Sequence, residues 1–380
     1  MTLYIGLMSG TSLDGVDGVL LSFESGENDA LRTLTHVHRP FPTALKAELL
    51  ALNASGNDEL HRAALAANAL ARVYAEVIAA LLERSQTAPA AVRAIGAHGQ
   101  TVRHRPGEFD GIGYTLQLNA PALLAESTGI DIVADFRSRD VAAGGTGAPL
   151  VPAFHRALFG RTDATVAVLN IGGISNLTVL HRDGRTTGFD CGPGNALMDH
   201  WCELHTGHDF DALGAWAASG RVLEPLLGSM LAEPFFSRKP PKSTGRDLFN
   251  AQWLAQRLQP FATRQPRAED VQATLAELTA RACAAEMRTH ADDACRLLVC
   301  GGGALNDELM RRLAANLPGM AVSTTEPCGL PPMQVEASAF AWLARAFVEG
   351  RPGNLSAVTG ACGSRILGAL YPAGRPATAT

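Results

Sequence analysis

Gly188-Phe189-Asp190-Cys191-Gly192-Pro193-Gly194-Asn195-Ala196-Leu197-Met198-Asp199 carries an acid from an apolar segment into a Gly-Pro-Gly turn, and a helical pattern starts near Asn195. The glycines permit backbone conformations and close approaches that a side chain would block. Asn195 is placed as the N-cap of that helix, which leaves amide groups pointing back toward Asp190. An acid at a strand end, beside a glycine turn and a helix start, is where a general base meets a bound phosphate. Taken alone, the stretch is equally a turn aspartate satisfying its own backbone.

The flanking sequence decides between the two. Upstream, Thr165 to Leu169 reads as a strand, Asn170-Ile171-Gly172-Gly173-Ile174-Ser175-Asn176 as a turn, and Leu177 to His181 as a second strand. The chain opens the same way: strand Leu3 to Met8, then Ser9-Gly10-Thr11-Ser12-Leu13-Asp14-Gly15, then strand Val16 to Phe23. Such a turn offers N–H groups and hydroxyls to an anion. Aligned without gaps, Ser9 to Ser12 lies over Gly172 to Ser175, and each half continues through alternating helix and strand patterns. A third glycine turn, Gly301-Gly302-Gly303-Ala304, follows the apolar strand Leu297 to Cys300 and precedes a helix from Asp307. Bare backbone there suits a flat ligand part such as a nucleoside. No GxGxxG opens a helix, so a Rossmann layout is excluded. Lys242-Ser243-Thr244-Gly245-Arg246 resembles the end of a P-loop but lacks its glycines. Asn170, Gly172, Gly173, Gly301, Gly302 and Gly303 are therefore candidate nucleotide contacts in a cleft between two α/β halves. Asp190 is placed to act at the terminal phosphate, which points to an ATP-using phosphotransferase.

The remaining chain fits a large α/β protein. Leu31 to His38 reads as a strand, and Thr43 to Leu50 and Glu59 to Arg84 as helices. Val92 to Thr101 reads as a strand running into a polar turn that presents His98. A polar loop, Asp135 to Gly147, suits a cleft edge, the alternative being that its Arg137 and Arg139 are solvated or paired with Asp135 and Asp140. Asp211 to Phe236 is helical with Pro225 and Pro234 as breaks, Val271 to His290 is a long helix, and Glu336 to Glu349 is the last strong one. The tail from Tyr371 is expected to fray. With 380 residues, 47% hydrophobic and 18% charged, two domains or one large one are expected. A net charge of −5 gives no reason to expect nucleic acid as a partner. Seven cysteines without CxxC spacing read as reduced, mostly buried thiols in a cytoplasmic protein. No apolar run is expected to reach the length of a membrane span, and no leader sequence is evident.

Met8 to Asp17, His98-Gly99-Gln100-Thr101, Asn170 to Asn176, Asp190 to Asp199, Lys242 to Arg246, Gly301 to Ala304 and Glu336-Ala337-Ser338-Ala339-Phe340-Ala341-Trp342 together resemble the anhydro-N-acetylmuramic acid kinase family. The matches run in order over nearly the whole chain. Two positions depart from the family pattern: Cys191 where threonine is usual, and Thr146 where glutamine is usual. The resemblance implies an actin-like ATPase fold of the hexokinase, sugar kinase and heat-shock-70 type, with two lobes around a central cleft. The first lobe is expected over 1–134 with a C-terminal return 358–380, the second over 135–357. It also implies a homodimer, ATP and magnesium as cofactors, and conversion of 1,6-anhydro-N-acetylmuramic acid, water and ATP to N-acetylmuramic acid 6-phosphate and ADP. In that reaction Asp190 takes the water's proton, and Gly10, Thr11, Ser12, Leu13, Asp14, Gly15, Val16 and Asp17 hold ATP. His98, Arg137 and Glu336 line the sugar pocket. Lobe closure is expected at hinges in Asp135–Gly147 and after Gly353. The rivals are a kinase for an ordinary sugar, with no hydrolysis, and an ATP-regulated binding protein that would not need Asp190.

Overall fold

The computed structural model describes residues 1–10, 12–24, 31–245 and 248–374. Thr11, Arg246 and the tail beyond 374 lie outside the described residues. Apolar runs bounded by glycine and polar turns give thirteen strands among the described residues. In chain order they are β1 (Thr2–Met8), β2 (Gly15–Phe23), β3 (Leu31–Pro40), β4 (Val92–Ala97), β5 (Gln100–Pro106), β6 (Gly113–Leu118), β7 (Ile132–Ala134), β8 (Thr165–Ile171), β9 (Ile174–Leu180), β10 (Thr186–Pro193), β11 (Ala294–Cys300), β12 (Ala321–Thr324) and β13 (Ala369–Tyr371). Tyr371, expected in a fraying tail, is instead paired with Ile132.

Two compact units form, one from Met1–Leu158 with Gln334–Thr380, the other from Phe159–Met333. The first holds a six-stranded sheet in the order β13-β7-β4-β1-β2-β3, the second a five-stranded sheet in the order β10-β9-β8-β11-β12. In the first, β1, β2 and β3 form an antiparallel meander, and β4 and then β7 add in parallel beside β1. In the second, β8, β9 and β10 form the meander, and β11 and then β12 add in parallel beside β8. The same order of meander and two parallel strands thus occurs twice, which is the repeated topology of the actin-like ATPase fold. The inner strands read as unbroken apolar runs because they are covered on both faces: Tyr4 to Leu7 and Leu297 to Cys300 are buried throughout.

The unit boundaries differ from those expected. Segments 135–158 and 334–357 belong to the first unit, because helix Val335–Val348 packs on β1 and β4. The two expected hinge segments are also tied to each other inside that unit. Asp140, fully buried, accepts hydrogen bonds from the Gly147 amide (2.8 Å), the Asn354 side chain (2.6 Å) and the Thr359 hydroxyl (2.8 Å). The chain passes from one unit to the other at 158/159 and 333/334 instead.

Other elements differ in detail. Gln100–Pro106 and Gly113–Leu118 form a two-stranded hairpin, where a polar turn was expected at its start; arginines and histidine alternating with so few apolar residues gave little strand signal. Pro225 and Pro234 open helices rather than break one, in the first turns of Glu224–Leu231 and Pro234–Ser237, where a missing N–H costs nothing. One helix among the described residues, Glu59–Ser85, does reach the length and hydropathy of a membrane span. Alanine and leucine dominate it, and its Leu70, Tyr74, Val77 and Leu81 are buried where it packs on β2 and β3, as in a core helix. Of the seven free cysteines, Cys191, Cys202, Cys283 and Cys300 are buried.

Candidate active site

Asp190 lies within β10, not at a strand end. It pairs with Asn176 of β9, and the next pair is Gly192 with Ser175, so Cys191 is the extra residue of a β-bulge. A bulge re-aims neighbouring side chains. β10 is the edge of its sheet, and its free side receives residues 242–244. The Asp190 amide donates to the Lys242 carbonyl (3.2 Å). Its Oδ2 accepts from the Ser243 hydroxyl (3.1 Å) and the Thr244 amide (2.9 Å). Oδ1 receives no hydrogen bond among the described residues, so one oxygen is anchored and the other is open. Burial lifts the carboxyl pKa to about 6, against the pull of the Thr244 amide, the Ser243 hydroxyl and the Lys242 charge.

Asn195 precedes helix Ala196–Thr206, but its side chain makes no cap. Its side-chain amide donates to the Ile171 carbonyl (3.3 Å) and its backbone N–H to the Gly172 carbonyl (2.8 Å). The helix start is therefore stitched to the Asn170–Gly173 turn, and the groups that hold Asp190 are the Lys242 carbonyl, the Ser243 hydroxyl and the Thr244 amide. The Cys191 thiol is buried beside Cys283 of helix Ala268–His290.

The second unit's glycine turns converge. Cys300 and Asn170 are parallel partners on β11 and β8, so Gly301, Gly302 and Gly303 follow one strand beside Asn170, Gly172 and Gly173 on the next. Gly301 has φ +78°, and a Cβ there would overlap Asn170 Oδ1. Backbone at the end of two adjacent parallel strands can take phosphate or a nucleoside face.

In the first unit, the Gly10 carbonyl accepts from the Leu13 amide (3.2 Å) and the Gln100 side chain (3.1 Å). The Ser12 hydroxyl donates to Asp14 (2.8 Å), which also takes the Gly15 amide (2.9 Å). Leu13 and Val16 are buried in the core. Asp17 Oδ1 accepts from His36 (3.0 Å) and His38 (3.1 Å). Burial alone would raise the Asp17 carboxyl, but the two imidazole hydrogen bonds bring it below its ordinary value. What this turn leaves open to a ligand is the backbone at Gly10 with the polar groups of Ser12 and Asp14.

His98, Arg137 and Glu336 form one cluster in the same unit. Arg137 donates through Nε (3.1 Å) and Nη2 (2.9 Å) to His98 Nε2, and through Nη1 to the Gly147 carbonyl (2.8 Å). His98 Nε2 is thus the acceptor, which places the imidazole proton on Nδ1. Its ring lies 4.6 Å from that of Phe340. Burial and the Arg137 charge hold His98 neutral, well below the ordinary histidine range. Burial pulls Arg137 down to about 10, while Glu336 and Asp140 act in the other direction. Arg137 is half-buried and makes no hydrogen bond to Asp135 or Asp140, so the alternative pairing is not formed. Asp135 takes the Ser138 hydroxyl instead (2.5 Å). Thr146 donates its hydroxyl to the Ala148 carbonyl (2.7 Å) and its amide to the Thr359 carbonyl (2.8 Å). Sequence reasoning did not connect Ser243 and Thr244 to Asp190, nor Asp140 to Gly147, Asn354 and Thr359. The Lys-Ser-Thr run was visible, but nothing in its spacing linked it to Asp190.

The sequence model of the anhydro-N-acetylmuramic acid kinase family matches residues 2–373. Relatives carrying that name include one from Variovorax paradoxus, 61% identical over 98% of this chain and 99% of its own length. Another, from Albidiferax ferrireducens, is 59% identical over the same shares, and one from Bordetella pertussis is 56% identical over 98% and 96%. Among solved structures, the activator of 2-hydroxyisocaproyl-CoA dehydratase from Clostridium difficile with bound ADPNP is similar at TM-score 0.47 and 12% identity, over 92% of this chain and 96% of that one. A ROK family glucokinase from Streptomyces griseus is similar at TM-score 0.39 and 13% identity, over 90% and 99%.

Proposed function

The chain belongs to the anhydro-N-acetylmuramic acid kinase family, and from that premise we propose how its residues divide the reaction. The protein is a carbohydrate kinase. It opens the 1,6-anhydro ring of 1,6-anhydro-N-acetylmuramic acid with water and phosphorylates O6 from ATP, giving N-acetylmuramic acid 6-phosphate and ADP in peptidoglycan recycling and amino sugar degradation. Water attacks the anomeric carbon as its bond to O6 breaks. O6 takes the γ-phosphoryl group, and the bond to the leaving ADP oxygen breaks. The proton released by water goes to Asp190, the role a base plays in an inverting glycosidase. No acid is needed at O6, because the phosphoryl group captures that oxygen.

The observation that carries this reading is the divided Asp190 carboxylate: Oδ2 is fixed by Ser243 and Thr244, and Oδ1 is open to accept a proton. The turns at Gly10–Asp14 and at Asn170, Gly172, Gly173 and Gly301–Gly303 take ATP mainly through backbone. His98, Arg137 and Glu336 take the sugar, the neutral imidazole and the buried guanidinium presenting fixed polar groups. No cluster of three His, Cys, Asp or Glu that could hold a metal occurs among the described residues. That fits magnesium carried by phosphate oxygens and water, where it would neutralise phosphate charge. We further read the protein as a cytoplasmic homodimer. Free, largely buried thiols favour a reducing compartment, and light scattering of the purified chain tests the dimer.

Turnover in 18O water tests the reaction: label appears at the anomeric oxygen of the product. A phosphorylated product without anomeric label would mean an ordinary sugar kinase. Asp190→Asn keeps shape and hydrogen bonding but removes the base, so kcat falls on the order of 10² to 10⁴-fold with little change in ATP affinity. Near-normal turnover would eliminate Asp190 as the base.

A further inference from the structure

We propose that the buried Lys242–Glu286 ion pair positions Asp190 by fixing residues 242–244 against helix Ala268–His290; this rests on Asp190 being the general base. Among the described residues of the segment between Pro234–Ser237 and Ala251–Leu258, none lies in a helix or strand. Three of its groups nevertheless hold Asp190: the Lys242 carbonyl, the Ser243 hydroxyl and the Thr244 amide. Without regular structure of its own the loop needs an anchor, and the Lys242 side chain ties it to the helix. Its ammonium lies 2.7 Å from Glu286 Oε1, with the side chain only 1% exposed, and 4.9 Å from the centre of the Phe235 ring. Glu286 is held in turn by its helix and by His290, 3.4 Å from Oε2. The result is a relay of contacts from a rigid 23-residue helix to the carboxylate of a β-bulge.

Stability does not account for the pair. Two desolvated charges are commonly matched or bettered by apolar residues of the same volume, whereas fixing one register is the best-attested use of such a pair. The registering function is the one this loop requires. Among the described residues, the charge acting on Asp190 is that of Lys242 on the segment; Cys191, next to it on its own strand, feels Cys283 and Glu286 of the Ala268–His290 helix, and His290 of that helix lies beside Glu286.

The test measures kcat, KM and the acid limb of the pH–rate profile for Lys242→Met, Glu286→Gln and the double variant, with thermal melting alongside. Displacing a catalytic group by about 1 Å costs on the order of 100-fold, so kcat should fall roughly 10- to 100-fold while KM for ATP and sugar stays within about twofold. Losing the Ser243 and Thr244 hydrogen bonds raises the acid limb in all three. Glu286→Gln separates position from field: removing a negative charge alone would lower the limb, and releasing the loop raises it. Variants that melt lower but keep the parent kcat and limb would overturn the proposal, as would a lowered limb in Glu286→Gln. The double variant leaves no unpaired buried charge and carries the test if Lys242→Met alone does not fold. An active Asp190→Asn would sink the base itself. If the pair fails while Asp190→Asn stays inactive, the base assignment stands.

Discussion

Asp190 binds its proton more tightly in the folded chain than in the unfolded one, because burial outweighs the three groups that favour the anion. As the proposed base Asp190 must be ionised, so kcat/KM for the anhydro sugar should rise through an acid limb near pH 6. Stability runs the other way. A raised carboxyl pKa contributes stability that is fully present below the ordinary value of 3.8 and is lost as pH rises through about 6. Asp190→Asn should therefore be more stable than the parent at pH 8, by at most about 3 kcal/mol, and the difference should close toward pH 4. Equal melting at pH 8 would contradict a strained, ionised carboxylate. The glycines make a separate case. Neither Gly10 nor Gly172 has positive φ; a Cβ would lie 3.3 Å from the Ser12 hydroxyl and 3.8 Å from the Ile174 carbonyl. Turn strain, one reason to expect glycine there, is thus absent. Gly10→Ala and Gly172→Ala should keep the parent melting temperature and weaken ATP binding roughly tenfold, about 1.4 kcal/mol, by calorimetry. Unchanged affinity in both would refute a phosphate grip at these turns. Asp190 was legible only in company: alone it reads equally as a turn aspartate, and the glycine turns elsewhere in the chain made it a candidate base. Ser243 and Thr244 were not, since more than fifty residues of chain intervene and a loop has no period to read.

At the level of elements, hydrophobic pattern located most strands and helices, and close approach of backbone then decided where they pack. Helix Val335–Val348 was legible as a helix, but not its seat on the first sheet. That seat is made by absent side chains: a Cβ at Gly6 would overlap the Ala337 carbonyl, and one at Gly96 the Phe340 carbonyl. Two glycines on separate strands facing a helix more than 230 residues later leave no local signal. Gly6→Ala or Gly96→Ala must push the helix off the sheet, at a cost of about 1–3 kcal/mol or more, read as a lower denaturant midpoint. A variant as stable as the parent would mean that the helix does not sit so close. The loop 135–147 was misread for a related reason. Its polar composition and glycines suggested a hinge, yet Asp140 gathers Gly147, Asn354 and Thr359 around one buried carboxylate. Composition reports which groups are polar, not which of them find partners inside.

At the scale of the molecule, the doubled topology was legible because both hairpins carry the same strand, glycine turn and strand. The unit boundaries were not, since the C-terminal helix returns to the first sheet and nothing in its sequence names that sheet. One consequence is that the first unit is built from two distant segments and the second from one continuous stretch. Each has its own core. One cluster of buried side chains runs from Ala167 to Leu317, and the other is centred on Ile5, Leu20, Tyr74, Ile95 and Ile132. Separate cores in a 380-residue chain favour unfolding in more than one step. The tryptophans divide unevenly: Trp201, Trp216 and Trp253 fall in the second unit and Trp342 in the first. Tryptophan emission should therefore follow mainly the second unit, while far-ultraviolet circular dichroism follows both. The two denaturation curves should fail to superimpose. Gly6→Ala should move the dichroism curve to lower denaturant and leave most of the emission change where it was. Coincident curves in the parent, shifted together in the variant, would show instead that the chain unfolds as one cooperative body.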